Sequence, residues 1–372
     1  MHIDWLATIV ALAAIASPVL SIPVPENLPR GAPLITDNVL LFDAPAFMNA
    51  NGEWTASFRM FSSLRQIDTK IISGPLTAAI EAFGVEVGNG AHNLLERTKL
   101  FLAISRSSIT VDVKVAGCNT VSVGETSSGG LLEKSIGVGK CDGSFAPKSI
   151  SGSVPRFFSS DAFEGTLFPS PPTGFGVISD VDDTIKVSNV LDKKAAIKAL
   201  LIEDHKAVDG MPQLYSKLNG ALNTPQWLYL TGSPYQFYPS LRQFIFETYP
   251  KGPIVTQNLT FSEPKALLAA IVNDSGVRDY KVAQMEKFVS YYPQKKFVMI
   301  GDSTQQDPEA YAEVARRHPD SIQCIWIRQV QNATNTPERF ASAFKAVPQA
   351  KWKVFTNPAE VTNLDVANGK CN

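Results

Sequence analysis

The sequence predicts an α/β fold with a doubly wound parallel sheet, preceded by a β-sandwich-like domain. Its 372 residues, 44% of them hydrophobic, are enough for two cores, because single cores stop growing at roughly 250 residues. Before residue 172, apolar and polar residues alternate as they do in half-buried strands. After residue 172, short apolar segments alternate with segments of helical periodicity, which is typical of βα units and a parallel sheet.

The first 21 residues have the features of a secretory signal peptide. An apolar stretch of about sixteen residues ends in small residues before a proline-rich segment, and cleavage is expected after Ser21. Asp4 stands where a positive charge is usual, so a membrane anchor or a buried helix is the alternative, although a spanning helix needs about 20 apolar residues. We predict a signal peptide at residues 1–21, a secreted, extracellular protein and no transmembrane segment after its removal.

The cysteines agree with export, because they are even in number and lack the CxxC spacing of zinc sites. They are Cys118, Cys141, Cys324 and Cys371. Three pairings are possible, and proximity in the chain favours joining the first two and the last two. Three sequons for N-glycosylation also suit a secreted glycoprotein. They begin at Asn258, Asn273 and Asn332.

The charge balance excludes some classes of partner. Lysine and arginine number 34 against 35 acidic residues, which gives a formal net charge of −1. Neither sign forms a long run, so the sequence lacks the basic segments that favour nucleic-acid binding. We predict no nucleic-acid partner.

Residues 22–172 are predicted to form the β-rich domain. In "ITVDVKV", residues 109–115, the aliphatic side chains fall on one face of a strand and the polar ones on the other. The segments "EWTASFRMF" and "TKLFLAI" are predicted to be further strands, and "LTAAIEAF" a helix. The proline-rich "FPSPPTG", residues 168–174, is predicted to join the two domains. No ligand is predicted for this domain.

Residues 173–350 are predicted to form the second, α/β domain, followed by a C-terminal tail at residues 351–372. The predicted strands are "GVIS", "WLYL", "PIVTQ", "KFVMI" and "IQCIWI". The predicted helices are "AAIKALLIEDH", "SLRQFIFETY", "PKALLAAIVND", "KVAQMEKFVSYY" and "PEAYAEVARRH". This alternation predicts a parallel sheet covered by helices on both sides.

Three of these strands are followed by distinctive polar groups. "GVIS" runs into residues 180–184 with the sequence DVDDT, "WLYL" into "TGS" at 231–233, and "KFVMI" into "GDS" at 301–303. Ligands of open parallel sheets bind outside the carboxyl ends of the strands, so we expect these groups to converge. Clustered carboxylates suit the hard cation Mg²⁺. A site with a cation, a lysine and small hydroxyl residues also suits a phosphate group, because the cation would offset the repulsion between a carboxylate and the phosphate.

The spacing of these groups resembles the four motifs of the haloacid dehalogenase superfamily. They are Asp180-x-Asp182-x-Thr184, Thr231, Lys281 and Gly301-Asp302-x4-Asp307. More narrowly, "SDVDDTIKVS", "TGSPYQFYP" and "KFVMIGDSTQQDPEAY" resemble the catalytic domain of the actin-patch-associated phosphatidate phosphatase family. Thr231-Gly232 departs from the serine-asparagine expected there, but it keeps the hydroxyl.

The resemblance implies a Mg²⁺-dependent phosphatidate phosphatase that hydrolyses phosphatidate to diacylglycerol and phosphate. It implies that Asp180 is the nucleophile and Asp182 the general acid and base. Thr231 and Lys281 would stabilise the transferring phosphoryl group. The implied substrate-binding residues are Thr184, Gly232 and Ser233. The implied Mg²⁺ ligands are Asp180, the backbone carbonyl of Asp182, Asp302 and Asp307.

Several alternatives remain open from the sequence. Asp307 precedes Pro308 and Glu309, as a helix N-cap does, so capping competes with a metal role. Nearby lysines compete with Lys281; they are Lys287, Lys295 and Lys296. Asp183 and Ser233 could serve only to shape their loops, without a role in binding or catalysis.

The function also has alternatives. The insertion at residues 186–225 is short, which favours a poorly covered site and a phospholipid phosphomonoester at a membrane or micelle surface. A secreted general phosphomonoesterase of the same superfamily is the first alternative. A non-catalytic secreted binding protein is the second, although it would have no need of the whole set of motif residues.

Overall fold

A computed structural model describes most of the chain. The described residues are 37–49, 51–64, 74, 77–78, 80–82, 84–101, 103–154, 163–259 and 276–372. All of them belong to one compact unit, Thr36–Asn372. The predicted signal peptide, the sequon at Asn273 and the predicted helix "PKALLAAIVND" lie outside the described residues, and so does part of the predicted helix "LTAAIEAF".

The first part of this unit is a nine-stranded mixed sheet. Its strands are β1 (Asp37–Leu41), β2 (Ala44–Met48), β3 (Trp54–Leu64), β4 (Ile104–Ser105), β5 (Thr110–Val115), β6 (Thr120–Glu125), β7 (Leu131–Gly139), β8 (Lys148–Ser153) and β9 (Phe163–Pro169). The order is β1-β3-β2-β9-β8-β5-β6, and β4 and β7 also pair with β3. In β5, Val111, Val113 and Val115 are buried while Lys114 is exposed, so the predicted alternation is confirmed. A division of these strands into a sandwich stays a prediction.

The predicted strand "TKLFLAI" is wrong. Thr98 ends helix α1 (Ala91–Thr98), and residues Lys99–Phe101 form a 3-10 turn. Leu94, Arg97 and Thr98 are buried on one face of α1, at the three- and four-residue spacing of a helix. The helical pattern that ends at Thr98 is therefore a stronger signal than the short alternation of apolar and polar residues on which the predicted strand was based.

The second part is a six-stranded parallel sheet. Its strands are β10 (Phe175–Asp180), β11 (Gln226–Pro234), β12 (Ile254–Gln257), β13 (Lys296–Asp302), β14 (Ile322–Arg328) and β15 (Trp352–Phe355), in the order β12-β11-β10-β13-β14-β15. Every neighbouring pair is parallel. The five predicted strands are present. The sixth, β15, was not predicted, because it is short and only its last residue is buried.

Helices accompany this sheet along the chain. They are α2 (Lys193–Leu201), α3 (Met211–Ala221), α4 (Tyr238–Thr248), α5 (Val277–Tyr291), α6 (Asp307–Arg317), α7 (Pro337–Ala343) and α8 (Ala359–Thr362). Neighbouring residues of β10 belong to two different apolar clusters: Val177 packs with residues of α2–α4, and Ile178 with residues of α5–α7. Because successive strand residues point to opposite faces, the two clusters cover opposite faces of the sheet. Assignment to the haloacid dehalogenase fold stays a prediction.

The two sheets share buried contacts within the compact unit. Asp43 Oδ2 accepts a hydrogen bond from Arg242 Nε at 2.7 Å, and the Asp43 amide donates to the Tyr238 hydroxyl at 2.7 Å. Phe42 and Phe61 belong to the same apolar cluster as residues of the parallel sheet. The nine-stranded sheet therefore packs against the part of the protein that contains α4 and the parallel sheet.

The disulfides join Cys118 to Cys141 and Cys324 to Cys371, which confirms the pairing that chain proximity favoured. The second bond connects β14 to the last residues of the chain. No helix in the described part of the chain combines the length and hydrophobicity needed to cross a membrane.

Candidate active site

The predicted motif residues converge at the carboxyl end of the parallel sheet. Asp180 is the last residue of the central strand β10, and Asp302 is the last residue of its neighbour β13. Thr231 lies in β11, the neighbour on the other side, one residue beyond the partner of Asp180. All three side chains are buried.

Three carboxylates form a compact cluster there. Asp180, Asp302 and Asp307 each place one oxygen within 4.8 Å of the others. The Thr184 hydroxyl lies 3.0 Å from Asp180 Oδ2 and 2.9 Å from Asp302 Oδ2, so it links the two strand ends. Thr304 donates to Asp302 Oδ1 from its amide at 2.6 Å.

Lys281 provides the cation of this cluster. It lies on α5, only 2% exposed, and its Nζ is 2.5 Å from Asp180 Oδ1 and 2.6 Å from Asp307 Oδ1. The competing lysines bind elsewhere: Lys287 pairs with Glu133, and Lys295 and Lys296 donate to backbone carbonyls. The structure thus places Lys281, and none of the three competing lysines, beside Asp180.

The protonation of the cluster reflects burial and crowded negative charge. Burial raises the pKa of Asp180 well above its usual range, and the charges of Asp307 and Asp302 raise it further against the attraction of Lys281. Burial and the Asp307 charge raise the pKa of Asp302 to about 6. The carboxylates raise the pKa of Lys281 although burial opposes them. Ionising all three carboxylates beside one ammonium would leave a surplus of negative charge, and the raised pKa values of Asp180 and Asp302 show that the cluster resists it.

The donor set fits a hard divalent cation. All three potential ligands are carboxylate oxygens, and they lie close enough together to contact one ion. Mg²⁺ prefers oxygen ligands, whereas zinc and copper sites typically include nitrogen or sulfur. A bound dication would also neutralise the surplus charge of the cluster.

Asp307 is not a helix cap. The N-cap position of α6 is Gln306, whose side chain makes no capping hydrogen bond. Instead, Asp307 Oδ1 accepts from Lys281 and its Oδ2 accepts from the amide of Asp302 at 3.3 Å. Gly301 makes room for it, since a Cβ added there would lie 2.4 Å from Asp307 Oδ2. The alternative that Asp307 caps the helix is therefore wrong.

Asp182 points into a second polar group beside the cluster. Its Oδ2 accepts from the hydroxyls of Thr231 at 2.7 Å and Ser233 at 3.0 Å. Its Oδ1 accepts from the Ser188 hydroxyl at 2.7 Å and lies 3.4 Å from Lys186 Nζ. Burial alone would raise the pKa of Asp182, but the Lys186 charge and these hydrogen bonds outweigh it and lower the pKa to about 2. Its side chain is not part of the three-carboxylate cluster.

A cavity of about 50 Å³ opens beside Asp182. Its polar lining includes Asp182, Lys186 and Ser188, and its apolar lining includes Leu200 and Val277. Of the predicted substrate-binding residues, Gly232 and Ser233 line this cavity. Thr184 does not, because it is fully buried and its hydroxyl is used by the two carboxylates.

Asp183 shapes the loop that follows Asp180. Its backbone has a φ of +54°, in the left-handed region. Its carboxylate accepts from the amides of Ser188, Asn189 and Val190 at 2.7 to 2.8 Å. Arg328 donates to the Asp183 carbonyl from Nε at 2.9 Å and from Nη2 at 2.6 Å. These contacts offset the cost of the left-handed backbone, which is of order 1–3 kcal/mol.

Sequence reasoning missed four residues of this site. They are Lys186, Ser188, Thr304 and Arg328. A signal for Lys186 and Ser188 was present, because both lie within the motif "SDVDDTIKVS" and Lys186 has apolar neighbours on either side. Arg328 follows an apolar strand with no motif around it, so nothing in the sequence distinguished it.

Comparison with known proteins gives a consistent result for this part of the chain. Residues 175–329 match the family model described as phosphatidate phosphatase APP1, catalytic domain. The chain is 30% identical over 254 residues to phosphatidate phosphatase APP1 of Saccharomyces cerevisiae, covering 64% of this chain and 41% of the yeast protein. It is 26% identical over 162 residues to an uncharacterized protein of Schizosaccharomyces pombe, covering 43% of this chain and 26% of that protein. The chain thus spans less than half the length of these curated relatives.

Among solved structures, the chain is similar to a family 123 glycoside hydrolase from Clostridium perfringens that was studied for glycolipid glycan hydrolysis. The match covers 79% of this chain and 58% of the other at 9% identity, with a TM-score of 0.14. So low a score carries no argument about the fold. The resemblance expected from the motifs is confirmed at the level of sequence: residues 175–329 resemble the catalytic domain of the phosphatidate phosphatase APP1 family.

Proposed function

We propose that the chain is a Mg²⁺-dependent phosphatase that hydrolyses phosphatidate to diacylglycerol and phosphate. One observation carries the proposal: Lys281 binds Asp180 within a buried cluster of three carboxylates, at the strand ends of the segment that resembles a phosphatidate phosphatase catalytic domain. Such a cluster costs stability, since buried charges are expensive unless they are paired. A catalytic role accounts for that cost.

The first step transfers the phosphoryl group to Asp180. A carboxylate oxygen of Asp180 attacks phosphorus, the bond from phosphorus to the glycerol oxygen breaks, and an aspartyl phosphate forms. Lys281 neutralises part of the charge that the carboxylates would otherwise present to the incoming phosphate. Thr184 holds Asp180 Oδ2 and so limits rotation of the carboxylate.

Asp182 moves the protons in both steps. In the first step it gives a proton to the departing glycerol oxygen. In the second it takes a proton from the water whose oxygen attacks phosphorus, while the bond from phosphorus to the Asp180 oxygen breaks and phosphate leaves. Its low pKa in the ligand-free geometry depends partly on hydrogen bonds from Thr231 and Ser233. A phosphoryl group that takes over these hydroxyls, and adds negative charge, raises the pKa of Asp182 toward the value that a general acid needs.

Asp180, Asp302 and Asp307 are the side chains that would hold Mg²⁺, together with the backbone carbonyl of Asp182. When bound, the ion supplies electrostatic stabilisation of the negative charge on the transferring group. The three carboxylates would then repel one another less.

The lipid substrate is supported by the site's surroundings as well as by the relatives. The cavity beside Asp182 has an apolar side formed by Val190, Ala196, Leu200 and Val277. A leaving group with a glycerol backbone and acyl chains would pass along such a wall. Secretion is also a proposal, supported by the two disulfides, which persist in oxidising compartments.

A substrate panel with the purified protein tests this function. Phosphate release should be much faster from phosphatidate in detergent micelles than from glycerol phosphate, nucleotides or sugar phosphates, because bound acyl chains help to position the phosphate. Equal rates across the panel would favour the general phosphomonoesterase. No turnover with Mg²⁺ present would favour the binding protein.

Two changes test the mechanism within the same assay. Asp180→Asn should reduce turnover by roughly 10³-fold or more, as loss of a nucleophile does, whereas the matched change Asp112→Asn in β5 should have no effect. Chelation should abolish activity and Mg²⁺ should restore it. Full activity in chelator would contradict the metal requirement, and an active Asp180→Asn protein would remove Asp180 from its role.

A further inference from the structure

An exposed leucine lies at the rim of the proposed active site. Leu191 is 47% exposed and directly follows Val190, which lines the cavity beside Asp182. Large apolar side chains with this exposure are rare among the described residues; the others are Ile104 and Phe145. Of these three, only Leu191 directly follows a residue that lines the cavity.

The turn that carries Leu191 is held in place at both ends. The amides of Asn189 and Val190 donate to the Asp183 carboxylate, and the Asp192 amide donates to the Asn189 carbonyl at 2.9 Å. The Asp192 side chain caps α2 by accepting from two amides of its first turn, at 2.9 and 3.1 Å. Leu191 is thus presented outward by a turn whose neighbouring residues are fixed.

Exposed lysines follow the leucine on α2. Lys193 and Lys194 are exposed, and neither pairs with a carboxylate in the described part of the chain. Lys198 is exposed too, but it lies 3.3 Å from Glu203. The one carboxylate within the turn, Asp192, is engaged as the helix cap. The rim is therefore apolar at its tip and positively charged behind it.

We propose that the turn Asn189–Asp192 and the start of α2 form the surface with which the protein docks on anionic lipid membranes. A leucine at a fixed tip inserts among the acyl chains, while lysines behind it attract anionic head groups. This inference rests on the proposed function, because a phosphatase acting on a membrane lipid must bring its cavity to the bilayer. It goes further by naming the residues that make the contact.

Sedimentation with lipid vesicles tests the surface without any turnover. The wild-type protein should bind vesicles of phosphatidylcholine mixed with phosphatidylglycerol, and bind pure phosphatidylcholine much less. Leu191→Ser should weaken binding roughly fivefold, the expected effect of losing a half-buried leucine. Ile104→Ser is the matched control and should bind like the wild type, since Ile104 is exposed to a similar extent, 55% against 47%, but lies in β4 of the other sheet.

Charge reversal provides an independent variant. Lys193→Glu combined with Lys194→Glu should reduce binding about tenfold or more at low salt, because each lysine near an anionic surface contributes about 1 kcal/mol. Both positions lie in the first turn of α2, where acidic side chains interact favourably with the helix dipole, so the helix should remain folded. The circular dichroism spectrum of the double variant should therefore match that of the wild type.

Activity measurements separate this inference from the proposed function. Leu191→Ser should hydrolyse phosphatidate in vesicles more slowly but leave hydrolysis of a monomeric short-chain phosphatidate unchanged. Wild-type binding to anionic vesicles no better than to phosphatidylcholine, or equal effects of Leu191→Ser and Ile104→Ser, would overturn the docking surface. Wild-type protein that binds the vesicles but hydrolyses neither substrate would support the surface and refute the phosphatase.

Discussion

Replacing Lys281 with methionine removes the only ammonium in contact with the three-carboxylate cluster among the described residues. The lysine Nζ contacts Asp180 and Asp307 at 2.5 and 2.6 Å, and all three side chains are at most 3% exposed. Methionine fills a similar volume, so the main effect is electrostatic. Breaking a buried ion pair from one side costs about 3–5 kcal/mol, because the remaining charges stay buried without a partner.

We therefore expect Lys281→Met to lower the free energy of unfolding by about 3–5 kcal/mol in the presence of a chelator. Mg²⁺ should restore more stability in this variant than in the wild type, since the variant lacks the ammonium that offsets part of the carboxylate charge. An ion present at 100 times its dissociation constant adds about 2.7 kcal/mol. Urea denaturation with chelator and with Mg²⁺ measures both effects.

Lys295→Met is the matched control for that experiment. Lys295 is also 2% exposed, but its Nζ donates to the Thr173 carbonyl at 2.8 Å and contacts no carboxylate among the described residues. Its replacement should cost about 1 kcal/mol, the value of one hydrogen bond, with no added response to Mg²⁺. A Lys281→Met protein as stable as the wild type in chelator, or an equal Mg²⁺ response in both variants, would refute the electrostatic account of the cluster.

Three further changes test the structure around the cluster. Gly301→Ala should cost about 1–3 kcal/mol and most of the activity, because the added Cβ would meet the Asp307 carboxylate; an alanine variant with normal melting temperature and turnover would contradict this. Arg328→Met should lower kcat more than Arg328→Lys, since lysine keeps one donor to the Asp183 carbonyl; equal kcat values would count against that role. Asp302→Asn should stabilise the metal-free protein above pH 6 by up to roughly 3 kcal/mol, because the pKa of Asp302 is raised to about 6 and its ionisation is then unfavourable in the folded state. That gain should fade as the pH falls from 6 to 4, and urea denaturation in which it is independent of pH would disprove the assignment.

Much of the parallel sheet was predictable because its strands are short apolar runs that end in polar motifs. The burial of "GVIS", "WLYL" and "KFVMI" follows from their composition, and parallel strands place their carboxyl ends at one edge. The convergence of Asp180, Thr231 and Asp302 follows from that geometry alone. The strand β15 was not predictable in the same way, since three of its four residues are only half-buried.

Other parts of the site depend on contacts that local sequence does not encode. Asp307 has the sequence context of an N-cap, and only the position of Lys281 on α5 shows that its carboxylate faces the cluster. Arg328 binds a backbone carbonyl from a segment far away in the chain. Because every residue has a backbone carbonyl, the amino-acid sequence does not reveal which one accepts a hydrogen bond. The role of this arginine is therefore visible only in the tertiary structure.

Three aspartates in four positions would repel one another if their carboxylates shared one space, and the backbone keeps them apart. Asp180 faces Lys281 and the cluster, whereas Asp182 faces Thr231 and the cavity. Asp183 has left-handed backbone geometry and turns its carboxylate toward the amides of residues 188–190. Each carboxylate therefore has its own donors. The Asp183 carboxylate connects the loop that follows Asp180 to the turn that presents Leu191, so one segment of chain holds both the proposed docking surface and the proposed nucleophile.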